Sequence, residues 1–332
     1  MSGVQAMEGA VHDDIGEVAQ QRRDVAVPRE LGKANHAGAS AMFRILGSAL
    51  LMLLPLATQS QSESSEWCEP EDEIASLPAD RIRVLSLNIS HGRSTALNQL
   101  FVSLDNTYDN LDEIAALLVD QSPDVVAFQE ADAPSRWSGN VDHVERIGER
   151  AGFKCRLHGL HSQSWISNYG TALLTSSRPS AYASVTFEPS WPSKQKGFVW
   201  ATFDWQVSGR VSPVTFVSLH LDFLRDGVRD RQIHELSDVL AKIDGPLVVM
   251  GDFNSEWTEP ESQVRRLADK LDLHAHAPGK EGMGTDKGRN GKRLDWILIS
   301  RDLEFIDHRV LPDIVADHLA VYAEIGPGAG WE

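Results

Sequence analysis

The chain has 332 residues, 42% of them hydrophobic, which suffices for one large domain or two small ones with a substantial core. Acidic residues outnumber basic ones by 48 to 31, giving a formal net charge of −17. This balance argues against a protein that binds nucleic acid by neutralising many phosphates. It does not exclude an enzyme in which metal ions contact the phosphate.

The first part of the chain contains a pattern typical of exported proteins. Residues 42–62 read MFRILGSALLMLLPLATQSQS, in which Arg44 precedes an apolar stretch from Ile45 to Leu56, and small and polar residues follow. This order is typical of a signal peptide, and the stretch is short for a membrane span. We therefore predict a signal peptide over residues 42–60. The protein is then secreted or periplasmic, or membrane-anchored if the signal is not cleaved.

The segments on either side of this signal lack the periodicity of a folded domain. Residues 1–41 are interpreted as a disordered leader or as a mis-assigned extension, with translation beginning at Met42. Residues 61–80 are polar and acidic and contain proline, which suits a linker. In an exported protein Cys68 and Cys155 can form one disulfide, and they can equally be unpaired.

From residue 81 to residue 326 the sequence alternates strand and helix patterns, and residues 327–332 form a tail. Alternating or continuous apolar runs predict strands at 81–88, 124–130, 170–175, 183–189, 197–207, 211–220, 248–250, 294–300, 305–311 and 319–325. Apolar residues at helical spacing predict helices around 111–118, 142–151, 228–243 and 263–271. This mixture indicates a single α/β domain with sheets packed between helices.

Two polar loops of this domain each have two interpretations. Residues 286–293, DKGRNGKR, belong to a Gly-, Lys- and Arg-rich loop that can hold an anionic substrate or be a solvated turn. Residues 134–145 place Trp137, Asn140 and His143 just after the second predicted strand. They form a substrate-selecting loop or the cap of the next helix.

Polar side chains recur at the ends of the predicted strands or just ahead of them. The set consists of Asn88, Glu130, His220, Asp252, Asn254, Asp295, Asp317 and His318. Each alone has an ordinary interpretation: Asn88 and Asp295 can cap turns, and His220 can be a hydrogen-bonded core histidine. Capping does not account for several carboxylates and two histidines beside apolar strands. Because ligand sites form at strand ends in α/β proteins, we expect one site.

The composition of this set indicates hydrolysis of a phosphate ester. Carboxylate and carboxamide oxygens suit Mg²⁺ or Mn²⁺, with Ca²⁺ as a further option, whereas zinc prefers Cys and His ligands. A bound divalent ion offsets phosphate charge and lowers the pKa of bound water. Histidines supply a general acid or base, and a neighbouring aspartate fixes the tautomer.

Six segments also carry a family resemblance. In chain order they are LSLNIS, DVVAFQEAD, VSLHLDF, VVMGDFNSE, RLDWILIS and VADHLAVY. They resemble the motif blocks of the endonuclease/exonuclease/phosphatase superfamily of metal-dependent phosphoesterases. The resemblance covers residues 81–326 and implies a deoxyribonuclease I-like four-layer α/β sandwich, with two central mixed sheets flanked by helices.

The resemblance implies a metal-binding role for five of these residues. Glu130 matches the main metal-binding glutamate, with Asn88 and Asp317 assisting. Asp252 and Asn254 match the catalytic pair that orients the nucleophilic water and the scissile phosphate, with a second metal as an option.

It also implies catalytic roles for three others. His318 matches the histidine that activates water or stabilises the transition state, and Asp295 matches its orienting partner. His220 is expected to protonate the leaving oxygen or to bind a phosphate oxygen. Ala316 stands where the family commonly has serine, and we expect Gly251 to keep the backbone from crowding the phosphate.

The substrate is less well defined by the sequence. The acidic segment after Asn254, SEWTE, argues against an inositol phosphatase, and His220 argues against an abasic-site endonuclease. The acidic balance favours a lipid or small phosphoester as substrate over nucleic acid. The alternatives are an exported, unspecific deoxyribonuclease I-like endonuclease and, third, a non-catalytic binding domain on the same fold. We expect a monomer without an obligate protein partner.

Overall fold

The computed structural model describes residues 64–70, 76–96, 102–207, 209–287, 291–329 and 331. The predicted signal peptide and the extension before it lie outside these residues. In the described part of the chain, no helix is both long and apolar enough to cross a lipid bilayer.

The described residues form thirteen strands and four α-helices. The strands are β1 (Ser64–Cys68), β2 (Ile82–Asn88), β3 (Val125–Asp132), β4 (Cys155–Gln163), β5 (Asn168–Thr175), β6 (Ala181–Thr186), β7 (Gly197–Val207), β8 (Arg210–His220), β9 (Leu247–Asp252), β10 (Leu273–Ala275), β11 (Asp295–Ser300), β12 (Leu303–Val310) and β13 (Val321–Pro327). The helices are α1 (Leu104–Gln121), α2 (His143–Ala151), α3 (Asp226–Leu240) and α4 (Gln263–Leu271).

Two mixed sheets pack face to face between the helices. The first has the strand order β1-β4-β5-β3-β2-β13-β12 and the second has the order β10-β11-β9-β8-β7-β6. A hydrophobic core of side chains such as Val84, Phe203 and Met250 fills the space between them. Residues of α1 and α2 pack on the outer face of the first sheet, and residues of α3 and α4 pack on that of the second. The predicted four-layer sandwich is confirmed.

Three of the four helices begin at a polar cap that the sequence supplies. Ser103, Asp142 and Ser262 accept backbone N–H bonds as N-caps of α1, α2 and α4. Ser122 and Gly152 take left-handed conformations after α1 and α2. The predicted bounds of α4 are confirmed at both ends.

The main addition to the predicted elements is the pair β1 and β4. β4 reads CRLHGLHSQ, which lacks an apolar pattern, yet it is buried between β1 and β5. β1 lies in the segment interpreted as a linker and pairs antiparallel with β4, with Cys68 opposite Cys155. These two cysteines form a disulfide bond. The first sheet therefore begins before residue 81, and the disulfide joins its strand β1 to β4 in the body of the domain.

The topology brings four of the predicted site residues to one end of the sandwich. β2 and β3 run parallel, with Asn88 opposite the residue before Glu130. β8 and β9 also run parallel, with His220 opposite Asp252. β3 packs across from β8, and β2 packs across from β9. The carboxyl ends of two parallel pairs therefore face each other across the interface between the sheets.

Candidate active site

One cleft at this end of the sheets contains most of the predicted site residues. It has a volume of about 350 Å³ and is lined by His91, Arg93, Glu130, His220, Phe223, Asp252, Asn254, Asp286, Asp317 and His318. Six of the eight predicted residues are in this lining. The other two, Asn88 and Asp295, are buried and hydrogen bond to Asp252 and His318 respectively. The structure therefore brings all eight together.

Left-handed backbone conformations occur at three of the residues that line the cleft, and His91, with a φ of 55°, is one of them. Glu130 has a φ of 52° and Asn254 a φ of 50°. Glu130 lies where the pairing of β3 with β5 shifts register, between Phe128 and Ala131. Such an irregularity re-aims a side chain near the end of a strand, and positive φ in non-glycine residues is held by the surrounding structure.

Gly251 is required by the packing of strands. It has a φ of +148° within β9, and a Cβ atom there would overlap the backbone carbonyl of Leu219 in β8. Only glycine allows β8 and β9 to approach this closely. The structure gives this reason for the glycine, and not the crowding at a phosphate that we expected from the sequence.

Asp252 is the most heavily contacted carboxylate of the cleft. Its Oδ2 accepts a hydrogen bond from Asn88 Nδ2 at 3.1 Å, and its Oδ1 accepts one from the backbone N–H of Asn254 at 2.9 Å. Burial, and next the nearby Asp295 carboxylate, raise the pKa of Asp252 to about 7. Two carboxylates buried together are electrostatically unfavourable, and a cation at this position would relieve the repulsion.

His318 is oriented by Asp295, as the resemblance implies. Nδ1 of His318 lies 2.7 Å from Oδ2 of Asp295, which leaves Nε2 on the cleft side, 3.9 Å from Asp252 Oδ2. Asp295 in β11 is paired directly with Asp252 in β9, so the position of this carboxylate is set by the sheet. Burial opposes the charged imidazole, but Asp295 and Asp252 outweigh it and raise the pKa of His318 well above its usual value.

Glu130, Lys196 and His220 form a second group in the cleft. Nζ of Lys196 lies 3.6 Å from Glu130 Oε1 and 3.1 Å from His220 Nε2. His220 Nε2 is also 3.6 Å from Asp252 Oδ2. The ring of His220 therefore lies between the carboxylates of Glu130 and Asp252. Burial, and next the charge of Lys196, lower the pKa of His220 well below its usual value. The pKa of His220 is therefore shifted toward the neutral imidazole, whereas that of His318 is shifted toward the charged one.

Two further cations contact the carboxylates of the cleft. Nε2 of His91 lies 3.4 Å from Glu130 Oε2, and its Nδ1 lies 2.9 Å from Asp132 Oδ1. Burial disfavours the imidazolium of His91, but the two carboxylates outweigh it and raise its pKa. The second cation is Arg93, whose guanidinium pairs with Asp317 at 2.6 Å. Ser90 Oγ donates a hydrogen bond to the same carboxylate.

Sequence reasoning missed His91, Arg93 and Lys196. Lys196 stands immediately ahead of β7, a strand whose bounds were predicted, so the rule used for the other residues applies to it as well. His91 and Arg93 follow Asn88 by three and five residues, after a turn in which Ser90 and His91 both have positive φ. That turn carries no apolar period, and only the structure shows that it folds back over Glu130.

The two polar loops differ in what their contacts say about their interpretations. In the first, Lys292 pairs with Glu256 at 2.9 Å, and the guanidinium of Arg293 lies 3.9 Å above the ring of Trp296. Asp286 of the same loop lines the cleft, and residues 288–290 lie outside the described part of the chain, so both interpretations of residues 286–293 stay open.

In the second loop the cap interpretation is confirmed. Oδ1 of Asp142 accepts the backbone N–H of Glu145 at the start of α2. His143 is fully buried against the backbone of Asp132. Trp137 lies 6.2 Å from the ring of His91, between ring centroids, and thus reaches a residue of the cleft.

The donor set of the cleft fits a divalent cation. Ligand atoms of Asp252, Asp295 and His318 lie within 4.8 Å of one another, and Oδ1 of Asp295 is a buried carboxylate oxygen without a hydrogen-bond partner among the described residues. Glu130 and Asp317 add further carboxylates to the same cleft. Oxygen donors of this kind suit Mg²⁺, Mn²⁺ or Ca²⁺. Of the five residues predicted to bind metal, Asp252 is the one that belongs to the group formed by Asp252, Asp295 and His318.

Comparison with known proteins identifies the family. The model of the endonuclease/exonuclease/phosphatase family matches residues 85–318 of this chain. The chain belongs to the endonuclease/exonuclease/phosphatase family. Members of this family typically hydrolyse phosphoester bonds and use divalent metals. No curated protein matches the sequence.

Solved structures of this family share the fold at low sequence identity. A family member from Leptotrichia buccalis has a TM-score of 0.58 at 18% identity, covering 74% of this chain and 99% of that one. The human Nocturnin catalytic domain with bound sulfate has a TM-score of 0.54 at 18% identity, covering 80% and 97%. A mannosyl-6-phosphatase from Bacteroides thetaiotaomicron has a TM-score of 0.53 at 14% identity, covering 74% and 99%.

Proposed function

We propose that this protein is an exported, divalent-metal-dependent phosphoesterase that hydrolyses a phosphodiester or phosphomonoester by metal-assisted attack of water. The observation that carries the proposal is the convergence of two groups on one cleft. Asp295, His318 and Asp252 form one group, and Glu130 and Lys196 belong to the other, with His220 between them. The group of Asp295, His318 and Asp252 then supports the attacking water. The group that contains Lys196 supports the leaving oxygen.

The residues that would hold the metal are oxygen donors of the cleft. Glu130, Asp317 and Asn88 are the assignment that the resemblance implies, with Asp252 and Asn254 as the option for a second ion. When bound, the ion supplies charge neutralisation of the phosphate and a lower pKa for a bound water. The buried repulsion between Asp252 and Asp295 supports cation binding here, because a cation removes it.

His318 and Asp295 are assigned to the developing charge of the transition state. The hydrogen bond from Nδ1 of His318 to Asp295 orients the ring and holds Nε2 toward the cleft. Because its pKa is raised, His318 carries positive charge, which suits stabilisation of the phosphorane-like transition state. Asp252 accepts two hydrogen bonds and can accept another from the attacking water.

Lys196 and His220 are assigned to the opposite side of the phosphate. The neutral state of His220 suits binding of a phosphate oxygen, the second of its two expected roles. Lys196, in contact with its ring, is then the donor beside the leaving oxygen. A positioned donor at a developing negative charge lowers the barrier of such a reaction.

Export and substrate class are parts of the same proposal. The disulfide between Cys68 and Cys155 supports an oxidising compartment, because such bonds persist there. The net charge of −17 supports a lipid or small phosphoester over nucleic acid, because a polyanion would be repelled.

The test is hydrolysis of bis-p-nitrophenyl phosphate with Mg²⁺ or Mn²⁺. Wild type is expected to be active and to lose activity in excess EDTA. His318→Ala and Asp252→Ala are expected to lose about 10²- to 10⁴-fold in turnover while remaining folded. His234→Ala, an exposed histidine of α3, is the control. Equal inactivity of wild type and Asp252→Ala on diesters and monoesters would favour a binding domain. Activity that survives EDTA contradicts the metal assignment.

A substrate panel then separates the candidate classes. Plasmid DNA, RNA, sphingomyelin and sugar or inositol phosphates are compared at equal enzyme concentration. Rapid nicking of the plasmid would establish the endonuclease alternative instead.

A further inference from the structure

Five exposed apolar side chains lie in loops that border the cleft, and we call them the apolar rim. They are Trp165, Ile166, Trp191, Phe223 and Leu224. Trp165 is 76% exposed and Trp191 is 88% exposed, the largest exposed fractions among the large hydrophobic residues of the described chain. A soluble protein ordinarily buries much of each indole ring, so two largely exposed ones near the cleft indicate a contact surface.

The connections of the strands place the rim at the same end as the cleft. Trp165 and Ile166 occupy the turn between β4 and β5, and β5 pairs with β3 up to Asp132, beyond Glu130. Trp191 occupies the loop between β6 and β7, and β7 begins opposite His220. Phe223 itself lines the cleft.

Contacts between these loops join the rim into one border. Nδ1 of His161, near the end of β4, lies 3.0 Å from Oγ1 of Thr186 at the end of β6. Arg225, which follows Leu224, donates to the carbonyl of Ser190 at 2.5 Å, directly before Trp191. The rim therefore runs along one side of the cleft, where β4 packs across from β6.

The turn that carries Trp165 is ordered by its own hydrogen bonds. The backbone N–H of Ser164 donates to Ser167 O, and that of Ser167 donates to Ser164 Oγ, both at 3.0 Å. The backbone N–H of Trp137 donates to Ile166 O at 2.8 Å. The tryptophan thus stands exposed on a turn that is held by its own hydrogen bonds.

The charge around the rim differs from that of the whole chain. Three exposed cations and two exposed acids stand on the same loops or next to them: Arg136, Lys194, Arg225, Glu188 and Asp226. This region is therefore close to neutral in a chain of net charge −17. Its balance suits a zwitterionic surface, whereas an anionic surface would repel the remainder of the molecule.

We infer that the apolar rim docks the enzyme on a zwitterionic lipid surface, so that a phosphoester headgroup enters the cleft from that surface. Tryptophan is the side chain that favours the boundary between lipid and water, and apolar residues at loop tips enter the headgroup region without a shaped partner. This inference rests on the proposed function and narrows its substrate to a phospholipid.

The experiment measures vesicle binding of the full chain with phosphatidylcholine vesicles, by co-sedimentation and by quenching of tryptophan fluorescence with brominated lipid. The double variant Trp165→Ser/Trp191→Ser is expected to partition at least about tenfold more weakly than wild type, because two indole rings are lost from the contact. Trp67→Ser is the matched control: Trp67 is 44% exposed and lies on β1, beside the opposite end of β4.

Activity on two substrates separates this inference from the proposed function. The double variant is expected to lose hydrolysis of a vesicle-borne phosphodiester relative to hydrolysis of bis-p-nitrophenyl phosphate. If the wild-type enzyme hydrolyses the soluble diester but binds vesicles no better than the double variant, lipid docking by the apolar rim is refuted and the proposed function stands. Wild-type inactivity on the soluble diester overturns the proposed function.

Two other outcomes also contradict lipid docking. Equal loss of vesicle binding in Trp67→Ser would show that the contact is not specific to the rim. A change of sedimentation coefficient from dimer to monomer in the double variant, without lipid, would assign the rim to contact with a second copy of the chain.

Discussion

Replacement of Asp295 by asparagine is expected to lower kcat and to leave the fold intact. Asp295 is fully buried, and its Oδ2 lies 2.7 Å from Nδ1 of His318. Asparagine keeps the size of the side chain and loses its charge. Loss of the Asp295 carboxylate removes the charge that most favours the imidazolium of His318, so the pKa of His318 falls and positive charge beside the phosphate is lost. If the amide group of the asparagine turns toward Nδ1, the neutral His318 must also carry its proton on Nε2.

The magnitude follows from the bond that is removed. A hydrogen bond between charged groups contributes about 1.5–3 kcal/mol. Each 1.36 kcal/mol or so of transition-state stabilisation corresponds to about a tenfold change in rate. If the whole contribution is made in the transition state, kcat on bis-p-nitrophenyl phosphate falls by roughly 10- to 150-fold.

The assay compares kcat at saturating Mg²⁺ or Mn²⁺ with a matched control. Asp124→Asn also removes the charge of an ion-paired aspartate, since Asp124 pairs with Arg83 at 2.8 Å at the beginning of β3, away from the cleft. It is expected to keep wild-type kcat. An Asp295→Asn enzyme with unchanged kcat, or an equal loss in the control, would refute the reasoning. A large fall in Tm for Asp295→Asn would assign the residue to stability instead.

Three further predictions concern other parts of the molecule. Lys196→Met is expected to lower kcat by roughly 10²- to 10³-fold, the range for loss of one preorganised donor; near-wild-type turnover would remove Lys196 from the mechanism. Burial lowers the pKa of His161 to about 3 in the folded protein, whereas the ordinary value of 6.5 applies in the unfolded chain. Between these two pH values, His161 is protonated in the unfolded chain but not in the folded protein. The free energy of unfolding should therefore fall on acidification by about 1.4 kcal/mol per pH unit between these two values from this group. Urea titrations at pH 7 and 5.5 should show a smaller fall for His161→Asn, and an identical fall would contradict the assignment. Gly251→Ala is expected to cost about 2 kcal/mol or more, because of its φ and of the carbonyl of Leu219; an unchanged Tm would refute this.

Local patterns predicted the elements that are apolar on at least one face. β7 and α4 match their predicted bounds, because apolar residues at strand or helix spacing run to both ends of each. β4 was missed for the opposite reason. His158 and His161 interrupt its pattern, yet both are buried, and His161 is satisfied by two threonine hydroxyls. Only the neighbouring strands make a core strand of such a segment.

The sequence by itself predicted eight of the polar residues that the structure gathers in or beside one cleft. Polar groups such as Glu130, Asp252 and His318 stand at strand ends, and strand ends meet at one edge in any sheet sandwich of this connectivity. Tertiary structure decided the contacts between them, which depend on positions distant in the chain. It placed Lys196 beside Glu130, and it shifted the pKa values of His220 and His318 in opposite directions. It also brought the loops that carry Trp165 and Trp191 to the same end of the sheets as the cleft. These contacts depend on the packing of one sheet on the other, which no single segment of the sequence encodes.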